Sequence, residues 1–281
     1  MITKEEVLPF IHLAFAEDVR DGDHSSLACI PQEVNGRAHL LVKDRGIIAG
    51  VQLAQWIFES IDPNIKMQAL LQDGDEVKKG DIVFIVEGCS VSLLTAERIV
   101  LNCMQRMSAI ATKTKAYVAL IEGTKTTILD TRKTTPGLRI LEKWAVKIGG
   151  GANHRFGLYD MIMLKDNHID FAGGITKAIE KTKKYLADKN LDLKIEVETR
   201  DLDEVKEVVK VGGIHRIMLD NFTPAETIVA VEYIKGTYET ESSGGITDKT
   251  IRSYAECGVD FISVGALTHS VYNMDLSLKA F

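Results

Sequence analysis

The chain has 281 residues, 45% apolar and 26% charged, with a formal net charge of -6. That composition excludes a disordered chain, and the acidic balance excludes broad binding to nucleic acid or to anionic membranes. No run reaches the roughly 20 apolar residues of a membrane span, so any anion this chain binds must be held in a focused pocket.

The first residues, "MITKEEVLPFIHLAFAEDV", pair an acidic start with apolar residues at helical spacing, which is not the pattern of a signal peptide. Strands follow at 37–50, 65–72 and 81–88, rich in Ile, Val and Leu, with the turn-rich "DGDEVKKGD" between the last two. A long helix starts near Leu93 and includes "AERIVLNCMQRMSAIATKTKAYVALI", with apolar residues at steps of three and four. Cys29, Cys89, Cys103 and Cys257 are scattered, with no CxxC pair. They read as free thiols of a cytoplasmic protein.

The chain divides near residue 110, and from 126 onward its pattern alternates. Strands are expected at 126–132, 161–166, 194–199, 216–220, 238–242 and 261–265. Helices are expected between them at 138–148, 174–187, 201–211, 224–235 and 247–257. Apolar strands alternating with amphipathic helices imply a parallel sheet covered by helices, either closed as a barrel or open and doubly wound. Nearly every strand ends in polar residues, and only a barrel brings all strand ends to one mouth, so the barrel is favoured.

The stretch 130–168 holds seven Lys and Arg against four Asp and Glu, inside an acidic protein. Arg132 and Lys133 close the first of these strands and Lys165 the second, while His154 and Arg155 lie on the loop entering the second. Guanidinium groups there can hold carboxylate or phosphate in bidentate fashion. Glu196 and Glu198 are two apart on one strand and share a face. Glu196 reads as a member of a buried ion pair. Glu198, nearer the mouth, and Asp220 on the next strand are candidates for a Mg²⁺ that also touches a diphosphate. Gly244 and Gly245, in "ESSGGIT", let backbone N–H groups approach an anion closely, and the loops after the last two strands are where barrels commonly bind phosphate. By contrast "GGGANH" follows a helix and is no dinucleotide fingerprint. The residues alone therefore describe a pocket for a polyanion, with catalysis by positioning and charge stabilisation.

The block "TRKTTPGLR…EKWAVKIGGGANHRFGLYDMIMLKDNH" (131–168) closely resembles the signature of the quinolinate phosphoribosyltransferases. So do "EDVRDGDHSS" (17–26), "LTAERIVLN" (94–102), "IEVET" (195–199), "IMLDNF" (217–222), "ESSGGI" (241–246) and "SVGALTHS" (263–270), in order along the whole chain. Thr199 stands where that family often has an apolar residue. The resemblance implies an N-terminal α/β sandwich domain at 1–110, an incomplete TIM-like α/β barrel of six or seven strands at 111–270, and a tail at 271–281 that packs back on the first domain.

It also implies the reaction. Quinolinate and 5-phosphoribosyl 1-diphosphate would give nicotinate mononucleotide, diphosphate and CO₂, with Mg²⁺, in a homodimer or higher even oligomer with shared sites. Carried over by motif, Arg132, Lys133, His154, Arg155 and Lys165 form the quinolinate and diphosphate pocket. Glu198 and Asp220 serve the ribose and the metal, directly or through diphosphate or water. Ser243, Gly244 and Gly265 cradle the 5′-phosphate, and Arg98 reaches into the partner's site. Lys133, His154, Lys165, Glu198 and Asp220 are the expected catalytic set. A related protein of molybdate-uptake operons, or a non-catalytic phosphosugar-binding regulator, would share the barrel; the intact central block speaks against the first and the full set of charged positions against the second.

Overall fold

The computed structural model describes residues 2–281. The chain opens with α1 (Lys4–Asp18), α2 (His24–Cys29), β1 (Asn35–Val42), β2 (Gly46–Ile47), α3 (Val51–Ile61), β3 (Lys66–Ala69), β4 (Glu76–Val77) and β5 (Ile82–Cys89). The long helix α4 spans Ser90–Leu120. After it come β6 (Thr127–Leu129), α5 (Arg139–Ile148), β7 (Ile162–Leu164), α6 (Asp166–Ala172), α7 (Ile175–Lys189), β8 (Ile195–Thr199), α8 (Leu202–Val211) and β9 (Arg216–Asp220). The chain closes with α9 (Pro224–Ile234), β10 (Glu239–Ser243), α10 (Ile251–Ala255), β11 (Phe261–Ser263), α11 (Ala266–His269) and β12 (Leu276–Ala280).

Two compact units result. One comprises the chain up to Lys115 together with Thr134–Gly150 and Leu267–Phe281; the other comprises Ala116–Lys133 and Gly151–Ala266. The first unit is built on a four-stranded antiparallel sheet in the order β12-β1-β5-β3. Alternation drives it: along β1, Ala38, Leu40 and Val42 are buried while Arg37, His39 and Leu41 are not. Its tail strand β12 pairs with β1, setting Leu278 opposite Leu40. Asp73 holds the start of α3, accepting from the Val51 N–H at 2.8 Å, and Phe58 of that helix packs edge-on against Phe84 of β5 at 6.1 Å.

The second unit is a six-stranded parallel sheet in the order β6-β11-β10-β9-β8-β7, an incomplete barrel of the TIM type. Its two outermost strands, β6 and β7, are not neighbours in the ladder; a bridge between Leu129 and Ala152 extends the β6 edge instead. The helix-facing positions are apolar: Ile195, Val197, Ile217 and Leu219 are at most 2% exposed. Each such side chain stabilises the fold by roughly 1.5–3 kcal/mol on burial. Helix starts are fixed by side-chain caps: Asp201 accepts the N–H groups of Asp203 and Glu204 at 2.9 Å, and Thr223 with Glu226 forms a capping box. Because the strands are parallel, their C-terminal ends lie on one side, with Lys165, Asp220 and Ser243 at or just past those ends.

Candidate active site at the strand ends

The interior of the second unit carries charge at several levels. Lowest is Arg216, the first residue of β9, whose guanidinium reaches Glu239 at 3.0 Å and Glu241 at 2.8 Å and lies 3.9 Å above the ring of Phe261. Above it, His154 Nε2 lies 3.0 Å from Glu196 and 3.4 Å from Glu241, both fully buried. Glu196 therefore does sit in a buried ion pair. Burial and the charge of Glu241 together push its carboxyl up to about 7. Burial opposes protonation of His154, but the two carboxylates outweigh it and push the imidazole up to about 9. The Arg155 N–H restrains that protonation, because at 2.7 Å it donates to Nδ1 and needs its lone pair. Both ring nitrogens of His154 are thus engaged by protein groups, and its own backbone N–H donates to the buried Asp130 at 2.9 Å.

The mouth lies one level further up. Lys165 follows β7 and stands at the N-cap of α6, where its backbone N–H donates to His168 Nδ1 at 3.0 Å. Its ammonium reaches Glu198 Oε2, on the neighbouring β8, at 2.8 Å. Asp220 ends β9, next in the sheet; burial and then the charge of Glu198 raise its carboxyl above the ordinary value, while Lys165 opposes the rise. Ser243 ends β10 and pairs in register with Asp220. Gly244 follows at φ +93°, where a Cβ would run into Asn221, 2.8 Å from its backbone nitrogen. Glycine is required there by both conformation and space. Gly265 lies between β11 and α11.

Beyond β6, Arg132 is half-buried and Lys133 exposed. Arg155 donates to the Met161 carbonyl at 3.1 Å; burial and the like charge of Arg132 lower its affinity for its proton, so the two guanidinium groups lie in each other's field. Two neighbouring cations form a receptor suited to an anion bearing more than one negative group. Asp160 shapes the loop that follows Arg155, accepting the N–H groups of Phe156 and Gly157 at 2.7 and 2.8 Å.

Arg98 belongs to the first unit. It is exposed on α4 and lines a cavity of about 390 Å³ with Phe10, Leu13, Asn102, Arg106 and Leu138.

Oxygen donors suit Mg²⁺. Glu198 and Asp220 offer two carboxylates close enough for one to raise the other's proton affinity, an arrangement that a divalent cation relieves. A second set, His154, Glu196 and Glu241, has ligand atoms within 4.8 Å of one another and could hold a divalent cation. It is buried, and Arg216 already neutralises Glu241.

Sequence reasoning counted Asn221 among the polar strand ends but gave it no role; its φ of +58° turns the chain after Asp220 and its N–H donates to the Ser243 carbonyl at 2.9 Å. The Asp-Asn pair directly after a strand was the available signal. It also missed the roles of Glu241 and Arg216 beneath the mouth.

An incomplete parallel barrel whose strand tips gather lysine, arginine and carboxylates defines a class of enzyme that handles phosphorylated, multiply charged substrates. Residues 110–279 match the quinolinate phosphoribosyl transferase C-terminal domain and residues 23–108 its N-terminal domain. The chain is 49% identical to the chloroplastic nicotinate-nucleotide pyrophosphorylase [carboxylating] of Arabidopsis thaliana, over 96% of this chain and 81% of that one. It is 39% identical to the probable nicotinate-nucleotide pyrophosphorylase [carboxylating] of Bacillus subtilis, over 94% and 90%. Among solved structures, NadC from Streptococcus pyogenes superposes with a TM-score of 0.93 at 37% identity, covering 99% of this chain and 97% of that one. The chain belongs to the quinolinate phosphoribosyltransferase family and is an enzyme of the pentosyltransferase class.

Proposed function

We infer that this chain transfers the phosphoribosyl group of 5-phosphoribosyl 1-diphosphate to quinolinate, with decarboxylation, to give nicotinate mononucleotide, diphosphate and CO₂. The observation that carries the reading is the row Lys165, Glu198, Asp220, Ser243 at the tips of four adjacent parallel strands, beside the Arg132–Arg155 pair.

Quinolinate brings two carboxylates, and Arg132, Arg155 and Lys165 neutralise and orient them. The ring nitrogen then attacks the anomeric carbon of the ribose, the C–O bond to diphosphate breaks, and the electron pair leaves with diphosphate. Mg²⁺, when bound, neutralises the diphosphate. Glu198 and Asp220 would hold it and face the ribose, where their charge stabilises the cationic character that develops at the anomeric carbon. Ser243, Gly244 and Gly265 receive the 5′-phosphate. The pyridine nitrogen is now quaternary; the bond to the adjacent carboxylate breaks, CO₂ departs, and the electron pair stays on the ring carbon, stabilised by the neighbouring positive nitrogen until it takes up a proton. Lys133 keeps that carboxylate out of water, and His154 acts beneath it by fixing the backbone of Arg155. Arg98, exposed on α4, completes the site of a second copy in a homodimer or higher even oligomer. The cytoplasm is the proposed location; among the described residues, no helix is long and apolar enough to cross a membrane.

The test is to mix the protein with quinolinate, 5-phosphoribosyl 1-diphosphate and Mg²⁺. Equal amounts of CO₂ and nicotinate mononucleotide are expected; nucleotide without CO₂, or neither product, would overturn the assignment.

A further inference from the structure

Arg106 lies on α4 between the fully buried Met104 and Met107, a setting in which an arginine needs fixed partners. It has them. Its Nη2 and Nε donate to Glu142 Oε1 at 2.9 and 3.1 Å, and Nη2 also donates to the Thr268 carbonyl at 2.5 Å. Glu142, on α5, is fully buried, and its second oxygen accepts the Thr135 N–H at 3.1 Å. In the sequence, Thr135 comes two residues after Lys133, and Thr268 comes three after Gly265. One guanidinium therefore ties down the chain just behind each of the two segments to which the proposed reaction assigns its substrates.

We propose that Arg106 is a positioning residue for both substrates: through Glu142 and Thr135 it fixes the segment carrying Arg132 and Lys133, and through the Thr268 carbonyl it fixes the segment carrying Gly265. The inference rests on the reaction proposed above and adds a residue that touches neither substrate. The chemistry is specific to arginine. A planar fork with five donors can satisfy a carboxylate and a carbonyl in different directions at once, whereas an ammonium is a compact point charge. The Thr268 carbonyl lies in α11, whose last acceptors lack partners within the helix, and a cation at that end is favourable. Lys113 supports the same turn from α4, donating to the Ser270 carbonyl at 2.5 Å.

The two arms can be separated. Glutamine at 142 has one acceptor oxygen instead of two, so Glu142→Gln cannot serve both Arg106 and the Thr135 N–H, while the Thr268 arm is untouched. Steady-state kinetics and thermal melts on the wild type, Arg106→Lys, Glu142→Gln and the double variant Arg106→Met/Glu142→Gln read this out. The double variant leaves no unpaired buried charge and guards against simple misfolding.

Arg106→Lys and the double variant are expected to raise KM for both substrates by about tenfold, the worth of one charged hydrogen bond. Glu142→Gln should raise KM for quinolinate several-fold more than that for 5-phosphoribosyl 1-diphosphate. A general loss of structure would lower the active fraction and kcat without that split. KM values within about twofold of wild type in Arg106→Lys and the double variant, or equal shifts for both substrates in Glu142→Gln, overturn the inference. An inactive wild type in the same assay removes the reaction assignment itself, and with it this role; an active wild type with unaffected variants removes this role alone.

Discussion

Lys165 Nζ lies 2.8 Å from Glu198 Oε2, joining the tips of two adjacent parallel strands across the mouth of the barrel. The lysine side chain is 46% exposed and the glutamate 9%. Such a pair contributes about 0–1 kcal/mol to stability, so its presence is better explained by what it does to a ligand. In the proposed reaction, a carboxylate of quinolinate arriving at Lys165 would meet a cation already aimed and would release Glu198 toward the ribose. Lys165→Ala should lower kcat/KM by at least about a hundredfold, the range for a lost charge-positioning group, while the melting temperature hardly moves. An unaltered rate would remove Lys165 from the site.

Gly244 tests the phosphate end. An added Cβ would collide with Asn221, and the backbone there is at φ +93°. Gly244→Ala should cost more than about 1 kcal/mol of stability and raise KM for 5-phosphoribosyl 1-diphosphate well above that for quinolinate. Equal changes in the two values would argue against phosphate binding at this turn.

Asp220 tests the metal. Burial and then the charge of Glu198 raise its proton affinity, against the opposing charge of Lys165, and a divalent cation would offset the remaining repulsion. Asp220→Asn removes one charge, and the Mg²⁺ concentration giving half-maximal activity should rise severalfold. A Mg²⁺ titration that superposes on the wild type would place the metal elsewhere.

The buried layer below the mouth sets a pH dependence. Glu196 is pushed up to about 7 from an ordinary 4.5 by burial and by Glu241, so the folded chain holds this proton more tightly than the unfolded chain. Stability is therefore greatest below pH 4.5 as far as this group is concerned, and it is lost as pH rises toward 7. Thermal melts between pH 5 and 8 should show the wild type losing stability relative to Glu196→Gln, which cannot ionise. A constant difference between the two curves would contradict the shift.

Much of this was legible in the sequence because strands and helices here obey local rules. β9 was expected at 216–220 and spans Arg216–Asp220, since "RIMLD" is a short β-branched and apolar run closed by an acid. Helix α10 was expected at 247–257 but covers only Ile251–Ala255: the Thr247 N–H donates to Thr250 Oγ1 at 3.0 Å, and this local turn competes with the first helical turn. Helix α6 was not anticipated, because its seven residues carry no amphipathic repeat. The two-residue ladder of β2 and β4 has no sequence period at all. Thr199, the departure from the family pattern, is buried and satisfied, donating from Oγ1 to the Met218 carbonyl at 2.8 Å. The charged tips were readable because each ends its own strand. His154 meeting Glu196 and Glu241, or Arg106 meeting Glu142 and Thr268, were not, since those partners are set by tertiary packing across 36 to 162 positions.

The central claim is that the polar ends of these strands form one receptor for a pyridine carboxylate and a phosphoribosyl group. A crystal structure with nicotinate mononucleotide bound checks it most directly. The account predicts the pyridine carboxylate against Arg132, Arg155 and Lys165, the ribose over Glu198 and Asp220, and the phosphate at Ser243, Gly244 and Gly265. Nucleotide density on any other face, with those residues bare, would contradict it.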